Sequence, residues 1–144
     1  MTNFRALLKQ NILYVAWAQT LIATIGSLFL SDAMKLPPCS LCWYQRVFMF
    51  PLVFILTVGI LKKDRSIHLY VLPLSIIGMA VALYHTLLQA GIIPESFAPC
   101  TAGVSCVTKY LEIYNFITIP LLSLLAFTVI SACVIIFNSL HKET

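Results

Sequence analysis

The sequence predicts an all-α membrane protein: a four-transmembrane-helix bundle with both termini cytoplasmic. Three observations predict it. Hydrophobic residues make up 60% of the 144-residue chain and charged residues only 10%, against ~45–50% and ~25% in soluble domains. Mean hydropathy is +0.96. Four continuous apolar runs each approach the ~20 residues that a membrane-spanning helix needs. Such a chain cannot clothe a water-soluble core. Intrinsic disorder, which needs low hydrophobicity and high charge, is excluded. Soluble nucleic-acid binding does not fit either, because the Lys and Arg behind the net charge of +4 sit in short clusters between apolar runs.

The first span is expected at about residues 12–30. Arg5 and Lys9 precede it as in a signal peptide. Its apolar run exceeds the ~7–15 residues of a signal's core, and no A-x-A site follows. It therefore reads as an uncleaved helix. The second span is expected at 43–61, the third at 69–88 and the fourth at 117–137. Outer-membrane strands would alternate apolar and polar over ~10 residues, whereas these runs are continuously apolar. Tyr110, Tyr114 and Phe116 precede the last span as interfacial anchors. The whole chain, 1–144, thus reads as one four-helix transmembrane domain.

Orientation follows the positive charges. The N-terminal tail, the Lys62–Arg65 loop and the C-terminal tail together carry six Lys and Arg, and the other side carries Lys35, Arg46 and Lys109. Positively charged loops stay inside. Loops 31–42 and 89–116 therefore face outward.

Those two loops hold four of the five cysteines. Cys39 and Cys42 form a C-x-x-C at the end of the first, and Cys100 and Cys106 form a C-x₅-C in the second. Outward faces are oxidising, so disulfides persist there. C-x-x-C is the redox spacing, in which one thiol is acidified and the sulfurs exchange readily. Pro37 and Pro38 keep the approach extended. Cys42 then falls in the first turn of the second helix, where partial positive charge favours a thiolate. Paired with each other, Cys100 and Cys106 would close a seven-residue ring worth ~2–2.5 kcal/mol in the chain-entropy model, more exchanger than staple. The competing readings are loop stapling and a four-cysteine zinc site. C-x₅-C lies outside the usual zinc ligand spacing, no histidine lies in either outward loop, and no metal is expected. Cys133, in the fourth span, reads as a small buried hydrophobe.

Dithiol oxidation releases two electrons, and no haem, flavin or nucleotide motif is present to take them. A lipid-soluble quinone needs no such motif. Arg46 lies four residues after Cys42, on the same helix face. Its guanidinium offers five donors and a permanent charge to a quinone carbonyl, or else it snorkels to headgroups. His85 lies near the outward end of the third span, with Gln89 one turn later. It reads either as a polar boundary residue or as a donor to the second quinone oxygen with a part in proton transfer.

The run Pro37-Pro38-Cys39-Ser40-Leu41-Cys42-Trp43-Tyr44-Gln45-Arg46 resembles the signature of the DsbB family of membrane quinone–thiol oxidoreductases. His85–Gln89 resembles the family's third-helix segment, and Phe97–Cys100 the start of its second cysteine loop. The likeness covers about residues 12–138, and the short outward loops look most like the BdbC branch. It implies an enzyme of the cell membrane that reoxidises an extracytoplasmic DsbA-like thioredoxin-fold protein and passes the electrons to menaquinone or ubiquinone. It implies that Cys100 forms the mixed disulfide with the partner, that Cys106 resolves it or links to Cys39, and that Cys42 donates to quinone held by Arg46 and His85. The departure is the short C-x₅-C spacing, since longer members separate these cysteines widely. The rival reading is a small four-helix transporter or a structural membrane protein with stapled outer loops. Transporters mark their path with embedded acidic residues, and all five Asp and Glu fall outside the expected spans.

Overall fold

A computed structural model describes residues 2–35, 37–94, 96, 106 and 118–142, with residues 2–10 described through their backbone alone. Four helices follow in order: α1 (Thr2–Asp32), α2 (Ser40–Lys62), α3 (His68–Gln89) and α4 (Ile119–Lys142). Each carries a stretch long and apolar enough to cross a membrane. At ~1.5 Å rise per residue, helices of 22–24 residues are about 33–36 Å long. That matches the ~30 Å hydrocarbon core of a bilayer.

The boundaries differ from the sequence expectation where polar residues extend a helix. The membrane-spanning stretch of α1, Asn11–Asp32, matches the expected 12–30, and the helix itself continues outside it to Thr2 through the polar turns around Arg5 and Lys9. α2 begins at Ser40 rather than Trp43. Cys39 is its N-cap residue with extended backbone (φ −70°, ψ 169°), so Cys42 lies in the first turn. The expected anchors Tyr110, Tyr114 and Phe116 lie outside the described residues, as does Cys100.

α2 ends on Lys63 in the left-handed region (φ 51°). The Lys63 N–H bonds the Ile60 carbonyl and the Asp64 N–H bonds the Gly59 carbonyl. This pair of bonds satisfies carbonyls that the helix end would orphan. α3 ends the same way on Gly91 (φ 73°), where the missing Cβ removes the strain that Lys63 carries.

α1 packs against α2 and α4, and α3 packs against α2 and α4. The helices therefore stand at four corners in sequence order. Leu52 and Leu56 of α2, Val71 of α3, and Phe127, Ile130 and Val134 of α4 are fully buried between them. Where α3 meets α4, a Cβ on Gly78 would overlap the Phe127 ring. Small residues of this kind let membrane helices approach closely. Two polar bridges cross the interior: Trp17 Nε1 donates to Thr57 Oγ1 at 2.8 Å, and Ser131 Oγ donates to Ser75 Oγ at 3.0 Å. The outer faces are as apolar as the core. Ile22, Phe54, Leu69 and Leu122 are all at least half exposed, as lipid-facing side chains are.

Candidate functional site

Pro37 and Pro38 bring the chain in extended, and Cys39 sits at the mouth of α2. The Cys39 and Cys42 sulfurs are free thiols 3.1 Å apart. Cys39 is buried and Cys42 half-buried. From α3, His85 enters the same space, only 1% exposed. Its Nε2 lies 3.7 Å from Cys39 Sγ and 3.1 Å from the Cys106 carbonyl oxygen. On the other side of the ring, Gln45 Nε2 lies 3.1 Å from Nδ1.

Cys106 is buried and held in a disulfide. It packs with Cys39, Leu41 and Leu88 in a small apolar cluster apart from the main core. The donor atoms of Cys39, His85 and Cys106 all lie within 4.8 Å of one another. The Cys39 and Cys106 sulfurs therefore need to close only from that range to the ~2 Å of an S–S bond. The short second loop thus demands no long journey of Cys106. Such a convergence is also what a soft metal would need. The disulfide withdraws the Cys106 sulfur from that role, because a metal-bound cysteine is a thiolate.

The Cys39 thiol, at the N-cap position just outside the α2 span, is strongly acidified. Hydrogen bonding from the Cys42 side chain is the main cause. Burial opposes it, and the His85 ring and the Cys42 amide add to it. Together they hold the Cys39 thiol down at about 4. The partial charge of the helix start acts on the N-cap residue as well as on the first turn.

Arg46 reaches sideways to α1 rather than out to headgroups. Its Nε donates to Ser27 Oγ at 2.7 Å, and its Nη2 donates to the Ser27 carbonyl at 2.8 Å and to Ser31 Oγ. The guanidinium also lies over the Trp43 ring, 5.5 Å from its centroid. Among the described residues, three of its five donors are used and the Nη1 pair is left over.

These groups border one cavity of about 350 Å³. Its walls are apolar, with Ile22 and Ala23 from α1, Met49 and Phe50 from α2, and Leu122 and Ala126 from α4. Cys42, Arg46, His85 and Gln89 also line it. Gln89 Oε1 is buried with no hydrogen-bond partner among the described residues. An apolar chamber carrying a few polar groups is the form of a small-molecule site.

The structure therefore brings together Cys39, Cys42, Arg46, His85 and Cys106. Cys133 stands apart in α4, packed against the main core. Sequence reasoning missed Gln45, Ser27 and Ser31. A signal for each was present: Gln45 is a polar residue three places after Cys42, on its helix face, and Ser27 and Ser31 are four apart on α1.

Comparison with known proteins follows the same lines. The family profile described as "Disulfide bond formation protein DsbB" matches residues 9–137. The chain is 44% identical over 130 residues to "Disulfide bond formation protein C" of Bacillus subtilis (strain 168), covering 90% of this chain and 91% of that one. It is 43% identical over 129 residues to a "Probable disulfide formation protein" of Metapseudomonas resinovorans, covering 89% and 90%. It is 41% identical over 125 residues to "Probable disulfide formation protein C 1" of Bacillus anthracis, covering 87% and 90%. No solved structure matches the chain.

Proposed function

The chain belongs to the DsbB family of disulfide bond formation proteins, and from that premise we propose that it reoxidises a DsbA-like thioredoxin-fold protein and passes the electrons to a membrane quinone. Membership makes it a multi-pass membrane thiol–disulfide oxidoreductase. In our reading it lies in the cell membrane with its termini inside and its paired cysteines outside, as the six-to-three charge asymmetry indicates.

The observation that carries the proposal is the meeting of Cys39, Cys42 and Cys106 around His85, on a cavity that Arg46 also lines. The exchange runs from the outer pair to the inner one. A thiolate of the reduced partner attacks Cys100 of a Cys100–Cys106 disulfide, and Cys106 leaves as thiolate. The partner's second thiol then resolves the mixed disulfide, so the partner is oxidised and Cys100 and Cys106 are reduced. Cys106 attacks Cys39 in a Cys39–Cys42 disulfide, and Cys42 leaves as thiolate. Cys100 then attacks Cys106, which re-forms the outer disulfide and releases Cys39 as thiolate. Two electrons have now moved to the Cys39–Cys42 pair.

The donor set fits a quinone: apolar walls for a ring and tail, and the Nη1 donors of Arg46, unused among the described residues, for a carbonyl oxygen. A bound quinone supplies an acceptor for two electrons and two protons. The chain's own residues do the rest. Cys42 lines the cavity as the donor sulfur, and Arg46, anchored on α1, holds a fixed positive charge beside it. His85 also lines the cavity, and its Nε2 is within reach of the Cys39 sulfur, where a proton must be held or moved as the dithiol closes. Phe50, Met49 and Leu122 give the cavity beside these groups apolar walls.

The test is quinone reduction driven by a reduced thioredoxin-fold oxidase, comparing the native chain with Cys42→Ser. Turnover by the native chain and none by the variant is the expected result. Equal turnover by both would remove Cys42 and this electron path.

A further inference from the structure

We propose that Gln45 is a positioning residue of this thiol relay, selecting the His85 tautomer that turns the ring's single proton toward Cys39. The proposal deepens the reading above and rests on it for the role of Cys39.

Gln45 lies on α2, 6% exposed, and His85 on α3, 1% exposed. A buried amide inside a helix bundle is unfavourable unless its polar atoms are bonded. The Gln45 Nε2 donor stands 3.1 Å from His85 Nδ1. A neutral imidazole carries one proton on one of its two nitrogens. With Nδ1 accepting from the amide, the proton lies on Nε2. That nitrogen is the one facing the Cys106 carbonyl at 3.1 Å and Cys39 Sγ at 3.7 Å. The amide therefore aims the donor at the point where the two cysteine pairs meet.

The same logic governs the histidines of metal sites, where the partner of the far nitrogen sets the tautomer. Here the near nitrogen faces sulfur instead of a metal. Among the described residues, the other charged or titratable groups around the ring are few. Cys39, Cys42 and Arg46 line the same cavity from the α2 side. Tyr84, on α3 itself, packs on the Cys39–Cys106 cluster. The Cys106 sulfur is in a disulfide. The α1 and α4 residues lining the cavity are uncharged. Among the described residues none supplies a carboxylate to Nδ1, and the amide is the group that selects the tautomer.

An amide and a carboxylate act differently at this position. The carboxylate oxygens that Gln45→Glu introduces can only accept, so that variant demands a proton on Nδ1. Gln45→Leu keeps the volume and gives Nδ1 no partner, so neither tautomer is selected. A side chain that merely fills space would leave the tautomer unchanged in both variants.

The experiment uses the full chain, ¹⁵N-histidine labelled, in detergent at neutral pH, with Cys39 and Cys42 reduced. His85→Asn assigns the His85 signals against those of His68 and His141. The expected native spectrum is that of the Nε2–H tautomer. Gln45→Glu should convert His85 to a form protonated at Nδ1, and Gln45→Leu to a mixture of tautomers. In Gln45→Leu, the ultraviolet thiolate signal that Cys39→Ser removes should titrate about one pH unit higher than in the native chain, the worth of one hydrogen bond to a charged sulfur. A native chain with the proton on Nδ1 would overturn the proposal without any variant being made. So would a Gln45→Glu spectrum identical to the native one. Neither quinone nor a protein partner enters these measurements, so a failure of the electron path above would not produce either result.

Discussion

Replacing Arg46 should separate the proposed quinone binding from thiol exchange. The guanidinium spends three donors on Ser27 and Ser31 of α1, lines the cavity and, in the proposed mechanism, offers its Nη1 pair to a quinone carbonyl. Arg46→Ala removes both functions. A hydrogen bond to a charged group is worth roughly 1.5–3 kcal/mol, which at 1.4 kcal/mol per decade is about 10–150-fold. The expected loss in kcat/KM for quinone is therefore in that range. Loss of the α1 anchor adds a measurable fall in thermal stability in detergent. That fall is limited, because Ser31 Oγ already donates back to the Ser27 carbonyl at 3.1 Å and keeps its bond. Arg46→Lys should recover part of the rate, since a point charge cannot span the positions of the planar fork. The pair Ser27→Ala and Ser31→Ala, made together, leaves the charge but frees its position, and should raise the apparent KM less than Arg46→Ala does. The assay is quinone reduction over a range of soluble quinone concentrations, driven by a reduced thioredoxin-fold oxidase. A parallel single-turnover measurement follows exchange between that partner and the outer cysteine pair. That exchange should proceed at the native rate, because Arg46 bonds α1 rather than the Cys106 segment. If Arg46→Ala reduces quinone at the native rate at every concentration, Arg46 is a strut between α1 and α2 and the ring binds elsewhere.

Orientation is tested with exposed positions in a cysteine-free background: Lys35→Cys should react with a membrane-impermeant maleimide on intact cells, and Lys63→Cys only after permeabilisation. The reverse pattern would invert the topology. Each of Cys39→Ser, Cys42→Ser, Cys100→Ser and Cys106→Ser should abolish turnover, whereas Cys133→Ala, partly buried against the main core and away from the cluster, should retain it; stoichiometric zinc in active protein would contradict the redox assignment. Gly78→Ala should destabilise the protein in detergent by about 1–3 kcal/mol through overpacking against Phe127, and an unchanged unfolding temperature would mean that α3 and α4 are not in close contact there.

Much of the site was legible in the sequence where the relationship is local. Cys39 and Cys42 are three apart, and Cys42 and Arg46 share a helix face four residues apart, so helical geometry alone joins them. The four apolar runs mark the spans because a bilayer demands ~20 apolar residues whatever the tertiary packing. The boundary of α2 was less legible. Pro37 and Pro38 signal an extended approach, but only the fold shows that Cys39 holds the N-cap position and that its surroundings acidify its thiol.

What the chain's order alone could determine, then, is the number of spans, the grouping of four cysteines in two loops and the alignment of Arg46 with Cys42. The tertiary structure decided the rest: that His85 meets Cys39 across 46 residues, that Gln45 holds His85 across 40, that Arg46 is clamped by Ser27 across 19, and that Cys106 sits in the same cluster. The physical reason lies in the solvent. In water, a polar face opposite an apolar stripe shows how a helix is turned. In lipid, the outside is as apolar as the core, as exposed Ile22, Phe54 and Leu122 beside buried Leu52 and Phe127 demonstrate. Hydrophobic periodicity therefore carries almost no record of which face turns inward, and the polar residues that meet at the site are brought together only by packing.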